Sequence, residues 1–429
     1  MTTITYTPQE YQKTTLPNGL RVVACEMPHT RSVSISIFIG VGSRYEEGEE
    51  AGLSHFLEHL LFKGTKNRPD PVQISGAIEG TGGTLNAGTE QELTVYWCKV
   101  AQPHFHESLD LLVDMLRNSL FEEDSIDKER MVILEELAMI NDYPGARVDS
   151  LIDEMLWPEH PLGRDIGGTK ESVTAITRQM ILDHVDTYYS PSNVVISIAG
   201  NIPPAEVVAK VEELCADWPT ASSNGWNPVT HTQSESQLRL EYRKTEQVHL
   251  TVALPGLGLQ DPGRYALDLL SVALGEGMSS RLFVELREKR GLAYDVQSGV
   301  SHFQDTGAFI ISAGVDPKRI YDAVETIMDQ VREVRDGIPA DELERAKQLV
   351  AGRLMLRMED TRAVSSWMGS QEALMVDMMS VDEVVHQVNL VTPEEVQQVA
   401  GEILDTNRLN MAVVGPCRGR KRLEKLLRL

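Results

Sequence analysis

Cysteine is scarce and scattered. Among 429 residues there are four, Cys25, Cys98, Cys215 and Cys417, with no CxxC pair. That excludes a disulfide framework and a cysteine-based zinc site, and it favours a reducing compartment. Long apolar runs are missing too, since none approaches the about 18 residues of a membrane span. The opening stretch MTTITYTPQEYQKTTL has neither a basic and apolar secretory signal nor an Arg-rich amphipathic leader. Positive charge is in deficit. Against 40 Lys and Arg stand 64 Asp and Glu, a formal net charge of −24. This excludes an ordinary nucleic-acid binder, because phosphate contacts need a basic surface. What is present argues for folded domains. With 41% hydrophobic and 24% charged residues the chain can bury real cores, and its length suffices for two or more of them.

The pattern of elements reads as one α+β unit used twice. The turn Leu16-Pro17-Asn18-Gly19 joins strand-like segments at Tyr11–Leu16 and Leu20–Glu26, and Ser32–Ile39 alternates as a third strand. Helical periodicity follows at Ser54–Phe62, Pro71–Ile78, His104–Arg117, Ile126–Ile140 and Glu171–Tyr188, with a strand at Glu92–Val100. The first half closes with strand Asn193–Ala199, Gly200 and a helix at Pro204–Leu214; the chain closes with strand Arg408–Val414, Gly415 and a helix at Arg418–Leu427. The two glycines are 215 residues apart, about half the chain. The second half also begins with strands, Leu238–Arg243 and Val248–Leu254, then helices at Pro262–Leu274 and Ser280–Arg290. The expected organisation is therefore a domain over 1–219, a polar linker over 220–237 and a homologous domain over 238–429.

The segment Gly52–Thr65, GLSHFLEHLLFKGT, carries chemistry. His55 and His59 are four apart, so a helix puts both imidazoles on one face, where they can reach one metal ion. Glu58 lies beside them and can act as a base without being a ligand. This His-x-x-Glu-His order is the inverzincin signature. Such a triplet on a surface helix would be idle, but here Leu53, Phe56, Leu57, Leu60, Leu61 and Phe62 surround it. The helix must be largely buried, and buried polar groups need partners, which a metal supplies. Zinc with an open position needs a third protein ligand. The helix SIDKERMVILEELAMI offers Glu129 and Glu136, seven apart on nearly one face, with Glu135 turned about 100° away. Periodicity leaves Glu135 and Glu136 as alternatives.

With these residues the chain resembles the pitrilysin-type zinc metallopeptidases, the branch of mitochondrial processing peptidase and its bacterial relatives. The resemblance covers essentially the whole chain and is strongest at Gly52–Thr65, Glu129–Leu137, His160–Gly168 (HPLGRDIGG) and Ser279–Tyr294 (SSRLFVELREKRGLAY). It implies two homologous domains, each a mainly antiparallel sheet packed with helices, forming half of a clamshell. It implies one Zn2+ per chain, with the third ligand 77 residues after the second His, which is Glu136, and an auxiliary glutamate at Glu129. It marks Arg287 and Tyr294 as a pair that assists substrate binding and transition-state stabilisation. It likens Gly82–Thr94 to a substrate-binding edge strand, with Asn86 and Ala87 beside the peptide. The acidic residues that recognise a presequence arginine in the mitochondrial enzyme fall here on Ala146 and Ser150, which implies a broader specificity.

The function expected from the resemblance is a zinc-dependent endopeptidase acting on short or unfolded peptides in an enclosed chamber, as a homodimer in the bacterial cytoplasm. Two rival expectations are a non-catalytic core subunit, which would show broken ligand positions, and a catalytic subunit of a heterodimer, which would lack the Arg/Tyr pair. Here all of these positions are filled.

Overall fold

The structure, a computed structural model, describes residues 11–221, 224–374 and 377–429. The first ten residues, part of the stretch searched for a leader, and Ser222 and Ser223 of the expected linker lie outside them. Two sheets form. One has the order β1-β2-β6-β3-β5-β4, from β1 (Tyr11–Thr15), β2 (Arg21–Glu26), β3 (Ser32–Ile39), β4 (Thr84–Thr89), β5 (Thr94–Ala101) and β6 (Val194–Gly200). The other has the order β7-β11-β8-β10-β9, from β7 (Gln237–Tyr242), β8 (Val248–Gly256), β9 (Ala293–His302), β10 (Gly307–Val315) and β11 (Asn410–Gly415). Apart from the extra β1, the two run alike. In each sheet one parallel pair (β2 with β6, β7 with β11) is followed by three antiparallel pairs. The fold class is mixed α and β, two mainly antiparallel sheets packed with helices. Gly200 and Gly415 both have φ +150°. A side chain at either would strike the start of the neighbouring antiparallel strand, β3 at Val33 Cα (2.6 Å) or β8 at Val248 Cα (2.8 Å). The same backbone need recurs at the same place in both sheets.

Every residue of β3 after Ser32 is buried, so both faces of the first sheet need cover. The odd positions Val33, Ile35, Ile37 and Ile39 join the large core with Phe56, Leu57, Leu109 and Leu112. The even positions Ser34, Ser36 and Phe38 face the helix Thr361–Ala373. Ser36 and Ser365 hydroxyls lie 2.8 Å apart, and a Cβ at Gly369 would lie 2.2 Å from the Phe38 ring. Small residues on both sides let the helix settle onto the strands. In the second sheet the corresponding layer is the helix Pro144–Leu156, whose Val148, Leu151, Ile152 and Met155 pack with Ala253, Ala412 and Val414.

The compact units are therefore not the contiguous halves suggested by the sequence. One unit gathers the chain through Leu137, Asp165–Asn227 and Leu354–Asp382; the other gathers Ala138–Arg164, Pro228–Arg353 and Glu383–Leu429. Each half of the chain supplies the helix that covers one sheet face in the other half, because a sheet apolar on both faces must be covered on both. The expected linker is anchored to both units. Trp226 stacks under the Arg44 guanidinium, 3.8 Å from its ring centroid, in the first, and Val229 N–H donates to Asp305 in the second. Most helices lie within a few residues of expectation. Two do not. The expected helix Glu171–Tyr188 is two, Lys170–Ala175 and Arg178–Tyr188, because Ile176 is extended and the Thr177 side chain caps the second. The expected helix Ser280–Arg290 becomes a π-helical turn over Phe283–Lys289.

Candidate metal centre

The site is built in the first unit on α1 (Leu53–Leu60). Leu53, Phe56, Leu57 and Leu60 are buried and fix which side of this short helix faces the core. His55, Glu58 and His59 fall on the other side and are half-buried. The entry to the helix is constrained twice. Gly52 has φ +91°, and a Cβ there would lie 2.4 Å from the Gly167 carbonyl oxygen; a Cβ at Gly168, φ +80°, would lie 2.2 Å from the Ala51 carbonyl oxygen. The segment HPLGRDIGG thus lies against the start of α1, an approach only glycine permits. The buried Glu46 carboxylate accepts from Gly52 N–H at 2.8 Å and Ser54 N–H at 2.7 Å, which satisfies helix-start donors with a negative charge.

Glu136 comes from the long helix Glu123–Asp142. Its Oε2 lies 3.8 Å from His55 Nε2 and 3.7 Å from His59 Nε2. One donor atom from each of the three residues falls within 4.8 Å of the others, the only such group of His, Cys, Asp and Glu among the described residues. Ligand atoms around a tetrahedral zinc at about 2.0–2.1 Å would be about 3.3 Å apart, so a small inward movement of the side chains closes the set. Two imidazole nitrogens and a carboxylate are a zinc donor set. Burial, and then the neighbouring His59, push the His55 pKa down against the opposing pull of Glu136, Glu58 and Asp165, which favours the neutral imidazole that ligation requires. Glu135, the periodicity alternative, is exposed, whereas Glu136 turns inward.

Glu129 is buried one layer out. Its Oε2 lies 3.3 Å from His59 Nδ1 and its Oε1 2.8 Å from Lys63 Nζ. With Nε2 of His59 turned to Glu136, the ring proton is assigned to Nδ1 and is donated to Glu129. Glu58 is held from the sheet edge, since Thr89 Oγ1 donates to its Oε2 at 2.7 Å. Thr89 ends β4, whose outer side has no strand partner among the described residues. Asn86 and Ala87 sit mid-strand on β4, with Asn86 exposed and its Oδ1 accepting from Ala87 N–H at 2.8 Å.

Arg287 and Tyr294 belong to the second unit, where the structure brings them together. The π-helical turn carries Arg287 so that its Nη1 donates to the Tyr294 carbonyl at 3.0 Å, and its guanidinium lies 4.9 Å and 5.0 Å from the Phe283 and Tyr294 ring centroids. The Tyr294 side chain is largely exposed. Both residues line a cavity of about 820 Å³ with Gln247, Leu292 and Lys318. Three site residues escaped the sequence reading: Glu46, Thr89 and Asp165. Asp165 lay inside the HPLGRDIGG segment singled out without a role, and Thr89 inside the Gly82–Thr94 segment likened to an edge strand. Glu46 is hidden in an acidic run.

Comparison with known proteins now decides the family. The profile described as "Insulinase (Peptidase family M16)" matches residues 21–170, and that described as "Peptidase M16 inactive domain" matches residues 175–350. A relative from Streptomyces coelicolor, named an uncharacterized zinc protease, is 38% identical over 420 residues, covering 96% of this chain and 90% of its own. The chain belongs to peptidase family M16. A protease from Helicobacter pylori superposes with TM-score 0.89 at 22% identity, covering 96% of this chain and 100% of that one. A chain of complex III2 from Candida albicans does so with TM-score 0.83 at 18% identity, covering 97% and 100%. All the metal-ligand candidates fall in the first M16 match and none in the second. No described helix is long and apolar enough to cross a membrane.

Proposed function

We propose that the chain is a zinc-dependent endopeptidase hydrolysing short or unfolded peptides, with His55, His59 and Glu136 holding one zinc ion per chain. The observation that carries this reading is the convergence of these three side chains beside Glu58, next to a strand edge that has no partner among the described residues. When bound, zinc supplies Lewis acidity to a scissile carbonyl and lowers the pKa of water toward about 7. The protein groups do the rest. The peptide adds to the β4 edge near Asn86 and Ala87 as an extra strand, which aligns its carbonyl with the site. Glu58 takes the proton of the attacking water on a carboxylate oxygen and passes it to the leaving amine. Thr89 holds the carboxylate in place for that transfer. Glu129 keeps the Nδ1 proton on His59, so that Nε2 faces the metal.

Arg287 and Tyr294 donate to the carbonyl and the developing oxyanion. We place them in the site of a second copy of the chain, so that a two-fold dimer has two composite sites in a chamber that excludes folded proteins. The filled ligand set argues against a non-catalytic scaffold.

The test has two arms. Purified protein should cleave a quenched unfolded peptide, lose activity on zinc chelation and regain it on zinc addition; a zinc-loaded protein inert toward every peptide in a library would sink the assignment. Glu58→Gln and Tyr294→Phe dimers, each nearly inactive, should regain activity when their subunits are exchanged. No recovery despite confirmed exchange would exclude the composite site.

A further inference from the structure

Two imidazoles face the metal position, but only one has its outer nitrogen occupied. His59 Nδ1 has Glu129. His55 Nδ1 is buried and has no hydrogen-bond partner among the described residues. A buried ring N–H without an acceptor is costly, and a metal-ligating histidine ordinarily donates that proton to a carboxylate, carbonyl or water. The acidic side chain on that side is Asp165, close enough for its charge and that of His55 to act on each other. Asp165 is itself held in a tight turn. Its Oδ1 accepts from Gly167 N–H at 2.8 Å and its carbonyl oxygen from Gly168 N–H at 2.9 Å. Within this turn Oδ2 receives no donor. Gly167 lies between the two groups. The position a Cβ would take there is 3.6 Å from His55 Nδ1 and 3.3 Å from Asp165 Oδ1. Glycine at 167 therefore keeps a side chain out of the space separating an orphaned donor from an underused acceptor.

We infer that Asp165 is the positioning residue of His55, its carboxylate receiving the Nδ1–H of His55 beside Gly167. The Cβ position of Gly167, closed on its apolar side by Leu137 Cδ2 at 3.0 Å, marks the narrow gap across which the two groups face each other. The arrangement does for His55 what Glu129 does for His59: it keeps the proton on Nδ1, leaves Nε2 as the metal-facing lone pair and fixes the ring plane. The inference rests on the zinc-site reading above, and it concerns metal affinity before it concerns rate.

The experiment uses the full chain and zinc alone. Asp165→Asn keeps Oδ1 for the Gly167 N–H, and so keeps the turn, but presents an NH2 group where Oδ2 was. Zinc affinity, measured by competition with a chromogenic chelator, should fall roughly 10–100-fold, while the melting temperature of the metal-free protein does not fall. In protein labelled with 15N-histidine and loaded with zinc, the His55 Nδ1–H should be protected from exchange in the native chain and lose that protection in the variant. Unchanged zinc affinity in Asp165→Asn would overturn the inference, as would an affinity loss accompanied by an equal drop in metal-free stability, which would mean a merely structural turn residue. A native chain that takes up no zinc would instead overturn the function proposed above, and this inference with it.

Discussion

Glu58 and Glu136 are both half-buried carboxylates near two imidazoles, and they differ in what they face. Glu136 Oε2 points at both Nε2 atoms, whereas Glu58 Oε2 is taken by the Thr89 hydroxyl. Glu58→Gln should therefore keep zinc and lose about 10²–10⁴ in rate, the usual worth of a general base. Metal analysis of the purified variant decides the point, because zinc lost together with activity would make Glu58 a ligand. Glu136→Gln should bind zinc much more weakly. Glu135→Gln, altering an exposed side chain on the same helix, should keep both metal and activity. If Glu135→Gln were the variant that released metal, the ligand set would have to be redrawn.

At the scale of the element, α1, which carries His55 and His59, is only eight residues long, too short to be stable by itself, so its ends and its packing must hold it. Glu46 holds the start. Glu46→Ala would leave two helix-start N–H groups without their charged acceptor and should cost roughly 2–4 kcal/mol in urea unfolding. Gly52→Ala should be at least as harmful, since it adds a left-handed backbone penalty to a contact at 2.4 Å with the Gly167 carbonyl. Both variants should also bind zinc less well, because the start of α1 places His55. Normal stability and zinc binding in Gly52→Ala would show that the HPLGRDIGG segment is not tightly docked there.

Acid response and thiol reactivity belong to the whole molecule. His184 is buried between Ser54, whose hydroxyl is 3.5 Å away, and the rings of Tyr188 and Tyr189; burial pulls its pKa down to about 4. An unfolded histidine titrates near 6.5, so the unfolded chain takes up this proton first as the pH falls. The stability that His184 contributes as a neutral group is whole above about pH 6.5. It is lost progressively down to about pH 4, by roughly 3 kcal/mol in all. Carboxylates also titrate at the lower end, so the comparison is with His184→Gln, whose stability should fall less across that window in chemical denaturation. Identical slopes for the two proteins would refute the assignment. All four cysteines are buried, and burial pushes the thiol of Cys25 up to about 11 and those of Cys98 and Cys215 up to about 12. A disulfide-exchange reagent should titrate none of them in the native protein and all four in denaturant.

Local rules carried much of this molecule. Alternation in Ser32–Ile39, helical periodicity around His55 and His59, and the His-x-x-Glu-His spacing each depend on residues a few positions apart, so the strand, the helix and the shared imidazole face were legible in the chain. The spacing of Gly200 and Gly415 announced the repeated unit, because both meet the same steric need at a strand end. Tertiary structure alone decided what distant segments do to one another. The side of the long helix that turns inward brings Glu136, and not Glu135, beside the two imidazoles, which periodicity could not show. The exchange of the helices Pro144–Leu156 and Thr361–Ala373 between sheets left no local mark, since an apolar helix face has the same pattern whichever sheet it covers. Glu46 at the start of α1 and Thr89 on Glu58 are likewise contacts across 6 and 31 positions of chain. Their chemistry comes from burial and proximity, which exist only once the chain has folded.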